Sequence, residues 1–339
     1  MPRLRALAVA FAALSILAAC ATIRCPAEGG RPWQEVETEH FRIMTDLGEE
    51  EAETTARRFE RVRHVLLEVL PLEPPGRLPV VVLSGKEVFD FDDSRRSYFS
   101  PARPARIVVV SNGPKRNAAI ERGQSFAHEY SHYLAAALFH RPPLWLNEGL
   151  AMFFGEILFD TDGGSATLGR EDVDALEYLR RQQCLLSLES LWDWDREERS
   201  DAAEYRRYAS SWFWVSYLMR MEGARFKEFL RRCSEREDAR QAWEAVFPEP
   251  MQALQSRVTS NYRQWFIEWP RRTYSIPADC GSTASSRALE PAEYHVLLSQ
   301  LVMRWRSKLS EQERRERRDA ELKRALQHDP ASLRKLELE

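Results

Sequence analysis

Two histidines stand four apart in the stretch HEYSH, His128 to His132, with a glutamate directly after the first. Positions i and i+4 share one face of a helix, so both imidazoles can be offered to a single metal ion. Two ligands do not make a catalytic zinc site, which takes three from the protein and leaves the fourth position to water. Glu148, within WLNEGLA, is the candidate third ligand. Pro142 and Pro143 break the chain between the two segments, and a helix returning after them can swing Glu148 onto the histidine face. Two neutral imidazoles and one carboxylate leave a divalent ion with net positive charge, enough to bring the pKa of a bound water to about 7. Each residue alone also fits a plain role: a histidine satisfied in a core, a glutamate favoured at a helix N-terminus. The metal reading gains its weight from three separated positions coinciding.

These side chains need a frame. HFRIMT (40–45) alternates as a half-buried strand does, and Glu49 to Leu70 reads as a long amphipathic helix with acids in its first turns, stopped by Pro71. LPVVVL (78–83) is a short apolar run typical of a central strand, and Ala105 to Gly113 is another, closed by the turn signal Asn112–Gly113. Helical patterns follow at 120–139, 144–158, 171–182 and 202–223. The order predicts an α+β fold, a small mixed sheet followed by a mainly helical body. Residues 277–289 read as a linker to a C-terminal helical extension, 290–339, whose second helix opens with a capping box at Ser310 and Glu313. Its closing ALQHDP faintly resembles the end of a tetratricopeptide-type repeat, but it occurs in one copy. It is read as an amphipathic cap and a possible protein-partner surface.

The N-terminus suggests a place of work. Arg3 and Arg5 precede an uncharged run to Ala19, too short to span a bilayer comfortably and laid out as a secretory signal. The ending LAAC resembles the bacterial lipobox, which implies lipidation of Cys20 as the mature N-terminus. Ala21, where an aspartate would retain the protein at the inner membrane, implies sorting to the outer membrane facing the periplasm. The expected organisation is a signal peptide at 1–19, a tether at 20–31, a catalytic domain at 32–275 and the extension. Cys25, Cys184, Cys233 and Cys280 remain, and an oxidising compartment allows up to two disulfides in any of three pairings. A net charge of -3 makes no case for a nucleic-acid partner.

HEYSH followed by WLNEGLA resembles the gluzincin metallopeptidases, the group that includes thermolysin and aminopeptidase N, over about residues 36–240. The resemblance implies one zinc ion held by His128, His132 and Glu148, with Glu129 as general base. YASSWFWVSYLM (208–219) is similar in pattern to the segment carrying the oxyanion-stabilising tyrosine in the aminopeptidases, which lands on Tyr208, with Tyr205 one turn earlier as fallback. Two departures stand out. No Gly-x-Met-Glu-Asn segment precedes the helix, so the grip on a substrate α-amine is missing, and Met152 stands where thermolysin has an acid behind a zinc histidine.

The expected function is a zinc peptidase, an endopeptidase by preference, acting on peptide or unfolded protein. Ile107 to Ser111 is expected to be an edge strand on which an extended peptide adds, with Asn112 and Gly113 as substrate contacts. A lipoprotein that keeps the fold and binds without turnover is the alternative, and an intact Glu129 speaks against it. His40, His64, His140, His295 and His328 lack ligand spacing and read as surface or packing residues. Tyr130 and Ser131 read as helix filler.

Overall fold

Leu78–Leu83 and Ile107–Ser111 are apolar without alternation, which predicts strands covered on both faces. The computed structural model, which describes residues 24–70, 74, 76–84, 97–101, 107–111, 118–194, 201–261, 271–281, 285–304 and 309–331, has that arrangement. The strands are β1 (Gln34–Glu37), β2 (Phe41–Thr45), β3 (Leu78–Leu83), β4 (Tyr98–Ser100), β5 (Ile107–Ser111), β6 (Leu158–Phe159), β7 (Ser165–Leu168), β8 (Arg272–Ser275) and β9 (Ser285–Ala288). A six-stranded mixed sheet runs β4-β5-β3-β2-β1-β9, and a three-stranded one runs β6-β7-β8. In the large sheet β2, β3 and β5 are parallel, with Ile43 opposite Val80 and Val80 opposite Val108. β4, β1 and β9 join antiparallel.

The period of two sorts the strand residues onto two cores. Phe41, Ile43, Val80, Val82, Val108 and Val110 point to one face. There they meet Phe59 and Val62 of α1 (Glu49–Leu67) and Phe126, Tyr130 and Leu134 of α2 (Ala118–Leu138). Met44, Val81, Leu83 and Val109 point to the other. The helical body continues behind α2 as α3 (Leu144–Gly155), α4 (Val173–Gln182), α5 (Leu188–Trp192), α6 (Asp201–Met221), α7 (Gly223–Ser234), α8 (Ala239–Val246) and α9 (Met251–Asn261). The protein is therefore α+β, as its pattern of elements predicts.

Four expectations change. The segment 277–289 holds β9, which pairs with β1 from Gln34–Ala288 to Glu37–Ser285 and closes the sheet's far edge. The C-terminal helices α10 (Pro291–Arg304) and α11 (Glu311–His328) do not stand apart: Tyr294, Leu297, Leu298, Leu301 and Val302 of α10 form the second core with Val81, Leu83 and Val109. Burying each of those leucine and valine side chains contributes roughly 1.5–3 kcal/mol, which is why α10 belongs to the sheet. β5 is not an edge strand, because β4 pairs with its outer side, Phe99 opposite Val108. Cys25, Cys184, Cys233 and Cys280 are all free thiols, two of them buried, so none of the disulfides that an oxidising compartment allows is formed. Cys20, Asn112 and Gly113 lie outside the described residues.

Candidate metal centre

Helix α2 divides its faces by chemistry. Phe126 and Tyr130 stack at 5.2 Å between ring centroids, Phe126 stacks on Phe59 of α1 at 3.8 Å, and Phe41 of β2 meets all three rings edge-on. Tyr130 is thus no filler but part of the aromatic wedge that fixes the rotation of α2, and Arg63 holds its hydroxyl. Ser131 donates to the His128 carbonyl at 2.8 Å. With residues 126, 130 and 133 turned to the sheet, 128 and 132 must face away from it. Their rings stand 5.0 Å apart, nearly perpendicular.

What they face is α3. The chain leaves α2 at Leu138 and turns at Arg141, a non-glycine residue with φ 55°. It re-enters helix after Pro143, whose carbonyl accepts the first amides, Leu146 and Asn147. The turn is five residues, 139–143, so α3 must return alongside α2. Gly149 sets the depth of that packing from behind. A Cβ there would lie 2.6 Å from the Ser211 carbonyl oxygen and 2.6 Å from Val215 of α6, so only glycine lets α3 settle between α6 and α2.

Glu148 is thereby carried onto the histidine face. One nitrogen each of His128 and His132 and one oxygen of Glu148 all lie within 4.8 Å of one another, the one group of this kind among the described residues. His132 Nε2 and Glu148 Oε2 are 3.5 Å apart. Two ligand atoms each about 2.0–2.1 Å from a tetrahedral zinc ion stand about 3.3 Å apart, so the donor types and the His132–Glu148 separation fit that metal.

Both imidazoles are oriented through their second nitrogens. His132 Nδ1 lies 3.1 Å from Asn147 Oδ1. An amide oxygen only accepts, so Nδ1 donates to it, which leaves Nε2 as the nitrogen turned to Glu148. The His128 ring donates to the Ala151 carbonyl. That carbonyl answers what holds His128 when Met152 stands in place of an acid. Neither Asn147 nor Ala151 was singled out from the sequence, although Asn147 sits inside WLNEGLA.

Burial, and then the neighbouring His132, hold the His128 ring far below its ordinary value, to about 3, which favours the neutral form that a metal ligand requires. Glu129, 8% exposed, is pushed up to about 8 by burial and by the Glu148 carboxylate. Its carboxylate accepts the amide of Phe99 in β4. The true edge strand therefore lies directly over the expected general base, a link that a three-residue strand gave no pattern to reveal.

Tyr208 is on α6, with its ring edge-on to Trp194 at 5.6 Å and its hydroxyl 3.5 Å from a Glu204 carboxylate oxygen. It stands about one turn before Ser211, where α6 touches Gly149. Tyr205 packs edge-on to Tyr178 of α4 at 4.9 Å, and burial with Asp172 and Asp174 raises its hydroxyl to about 12. Of the other histidines, His295 is buried and bonds Glu321 at 2.7 Å, and His40 bonds Glu60 at 2.8 Å, both packing roles.

Residues 124–239 match a family described as Protein of unknown function (DUF1570). The matched stretch holds His128, Glu129, His132, Asn147, Glu148 and Tyr208 together. No curated protein matches the chain.

Proposed function

We propose that this chain is a zinc-dependent metallopeptidase, anchored to the cell envelope through Cys20 and hydrolysing peptide bonds in extended or unfolded polypeptide in the periplasm. The convergence of His128, His132 and Glu148 from two helices, with Glu129 beside them, carries the reading. A zinc ion held by those three residues supplies a Lewis acid for the scissile carbonyl and a water acidified to a pKa of about 7.

The chain's own groups do the rest. Glu129, on the turn between the two histidines, takes the proton of the attacking water on a carboxylate oxygen and hands it to the leaving amine. The Phe99 amide keeps that carboxylate aimed. Tyr208 donates a hydrogen bond to the oxyanion that develops on the carbonyl. A peptide lying along β4 would pair with a strand whose backbone already reaches Glu129. This transfers the rail from β5 to β4.

The Phe99–Glu129 bond also favours a second reading, a lipoprotein that keeps its zinc and binds polypeptide without turnover, because the edge strand occupies the base. One experiment separates the two. The purified chain should carry one zinc ion, and Glu129→Gln should keep it while losing at least about a thousandfold in cleavage of a diverse peptide library, the scale of a lost general base or more. Zinc retained by a wild-type chain that cleaves nothing establishes the binding reading. A folded chain without affinity for zinc ends both.

A further inference from the structure

Cys25 pins the start of the described chain to the side of the molecule opposite the metal centre. It is 1% exposed and packs with Trp33, Tyr294 and Leu298 on the second face of the sheet. Burial raises its thiol, Glu321 of α11 adding to the effect, and its carbonyl accepts the amides of Glu28 and Gly30. Trp33 next to it leads into β1, beside β9 and at the opposite edge from β4. The metal centre belongs to the first face and to the β4 edge. Chain entry and metal centre thus differ in both face and edge.

Only residues 21–23 stand between Cys20 and Arg24, the first described residue. At no more than about 3.6 Å per residue, Cys20 lies within about 18 Å of Cys25. A lipid on Cys20 holds the bilayer that close to α10 and α11. The metal centre lies beyond α10, the sheet and α2, on the order of 30 Å away for layers about 10 Å thick. We propose that the α10–α11 pair is the face turned to the lipid surface, and that the metal centre lies on the far side of the molecule from it, turned to polypeptide in the aqueous phase and not to segments emerging from the membrane. The orientation rests on lipidation of Cys20, and the substrate class rests on the peptidase reading. Exposed Arg315, Lys323 and Arg324 on α11 alternate with exposed Glu311, Glu316 and Asp319. Such a mixed surface has little pull of its own on a bilayer, so the lipid supplies the attachment and its placement sets the pose.

The test uses the full lipid-bearing chain on phosphatidylethanolamine–phosphatidylglycerol vesicles with nitroxide-labelled headgroups. A fluorescent amino acid replaces either Arg315 on α11 or Glu177, exposed on α4. Quenching should be several-fold stronger at 315 than at 177, and Cys20→Ala should abolish vesicle binding. Equal quenching, or stronger quenching at 177, overturns the orientation. Vesicle binding that survives Cys20→Ala, or a mature N-terminus without lipid by mass spectrometry, overturns its basis. Glu129→Gln should leave the quenching unchanged, which separates failure of this orientation from failure of the peptidase reading.

Discussion

Burial and then the Glu148 carboxylate raise the Glu129 carboxyl from 4.5 to about 8 in the metal-free chain, which favours its protonated form. An acid raised on folding contributes its full share below its unfolded value, and stability falls as pH rises from 4.5 toward 8. The slope approaches roughly 1.4 kcal/mol per pH unit. Glu129→Gln removes that titration, so in metal-free protein its stability relative to wild type should rise between pH 5 and pH 8 in denaturant melts. A pH-independent difference would show that Glu129 ionises freely. Zinc should narrow the gap, since a cation beside the carboxylate favours its charged form. Asn147 tests the orientation of the ligands: Asn147→Leu leaves His132 Nδ1 without its acceptor and should weaken zinc binding by about 10 to 100-fold in a chelator competition. Unchanged affinity would mean that the packing of α2 alone aims the ring.

Among the elements, α3 is held between α2 in front and α6 behind. Gly149→Ala places a methyl group 2.6 Å from the Ser211 carbonyl and Val215. It should destabilise the protein by about 1–3 kcal/mol, the scale of overpacking a filled core. Because Glu148 is the preceding residue, zinc affinity should fall together with the melting temperature. Gly155→Ala is the control: its added carbon would meet Cβ and Nδ1 of His128 at ordinary contact distances of 3.6 and 3.7 Å. A melting temperature lowered as much by this change as by Gly149→Ala would contradict the packing account.

For the molecule as a whole, the covering of the second face of the sheet is tied to a buried charge. Glu321 of α11 is fully buried, bonded by His295 of α10 and paired with Arg317 and Arg324. Burial alone would raise its carboxyl, but the His295 hydrogen bond and the two arginines bring it below its ordinary value. The stabilisation is therefore present above the unfolded value of 4.5 and is lost as pH falls through the lower folded one. Glu321→Gln should cost about 1.5–3 kcal/mol at pH 7, as for hydrogen bonds to a charged group, and the difference should shrink at strongly acidic pH. A cost that persists in acid would assign the effect to shape and not to charge. No helix among the described residues is long and apolar enough to cross a membrane.

Local patterns by themselves determined a good part of this protein. The period of 3.6 marked the helices, alternation marked β2, and unbroken apolar runs marked β3 and β5, because burying one stripe, one pleat or both faces of a strand leaves a signature within a few residues. Histidines four apart had to share a face, and a double proline had to interrupt the helices around it. The tertiary structure alone decided what stands opposite those faces. β4 and β9 are too short or too polar to show a pattern, yet one covers Glu129 and the other turns an expected linker into a sheet edge. The same holds for the Ala151 carbonyl at His128, for Asn147 at His132 and for the burial of Cys25 beside α11. Each joins residues distant in sequence or pairs a side chain with a backbone atom, and local periodicity records neither.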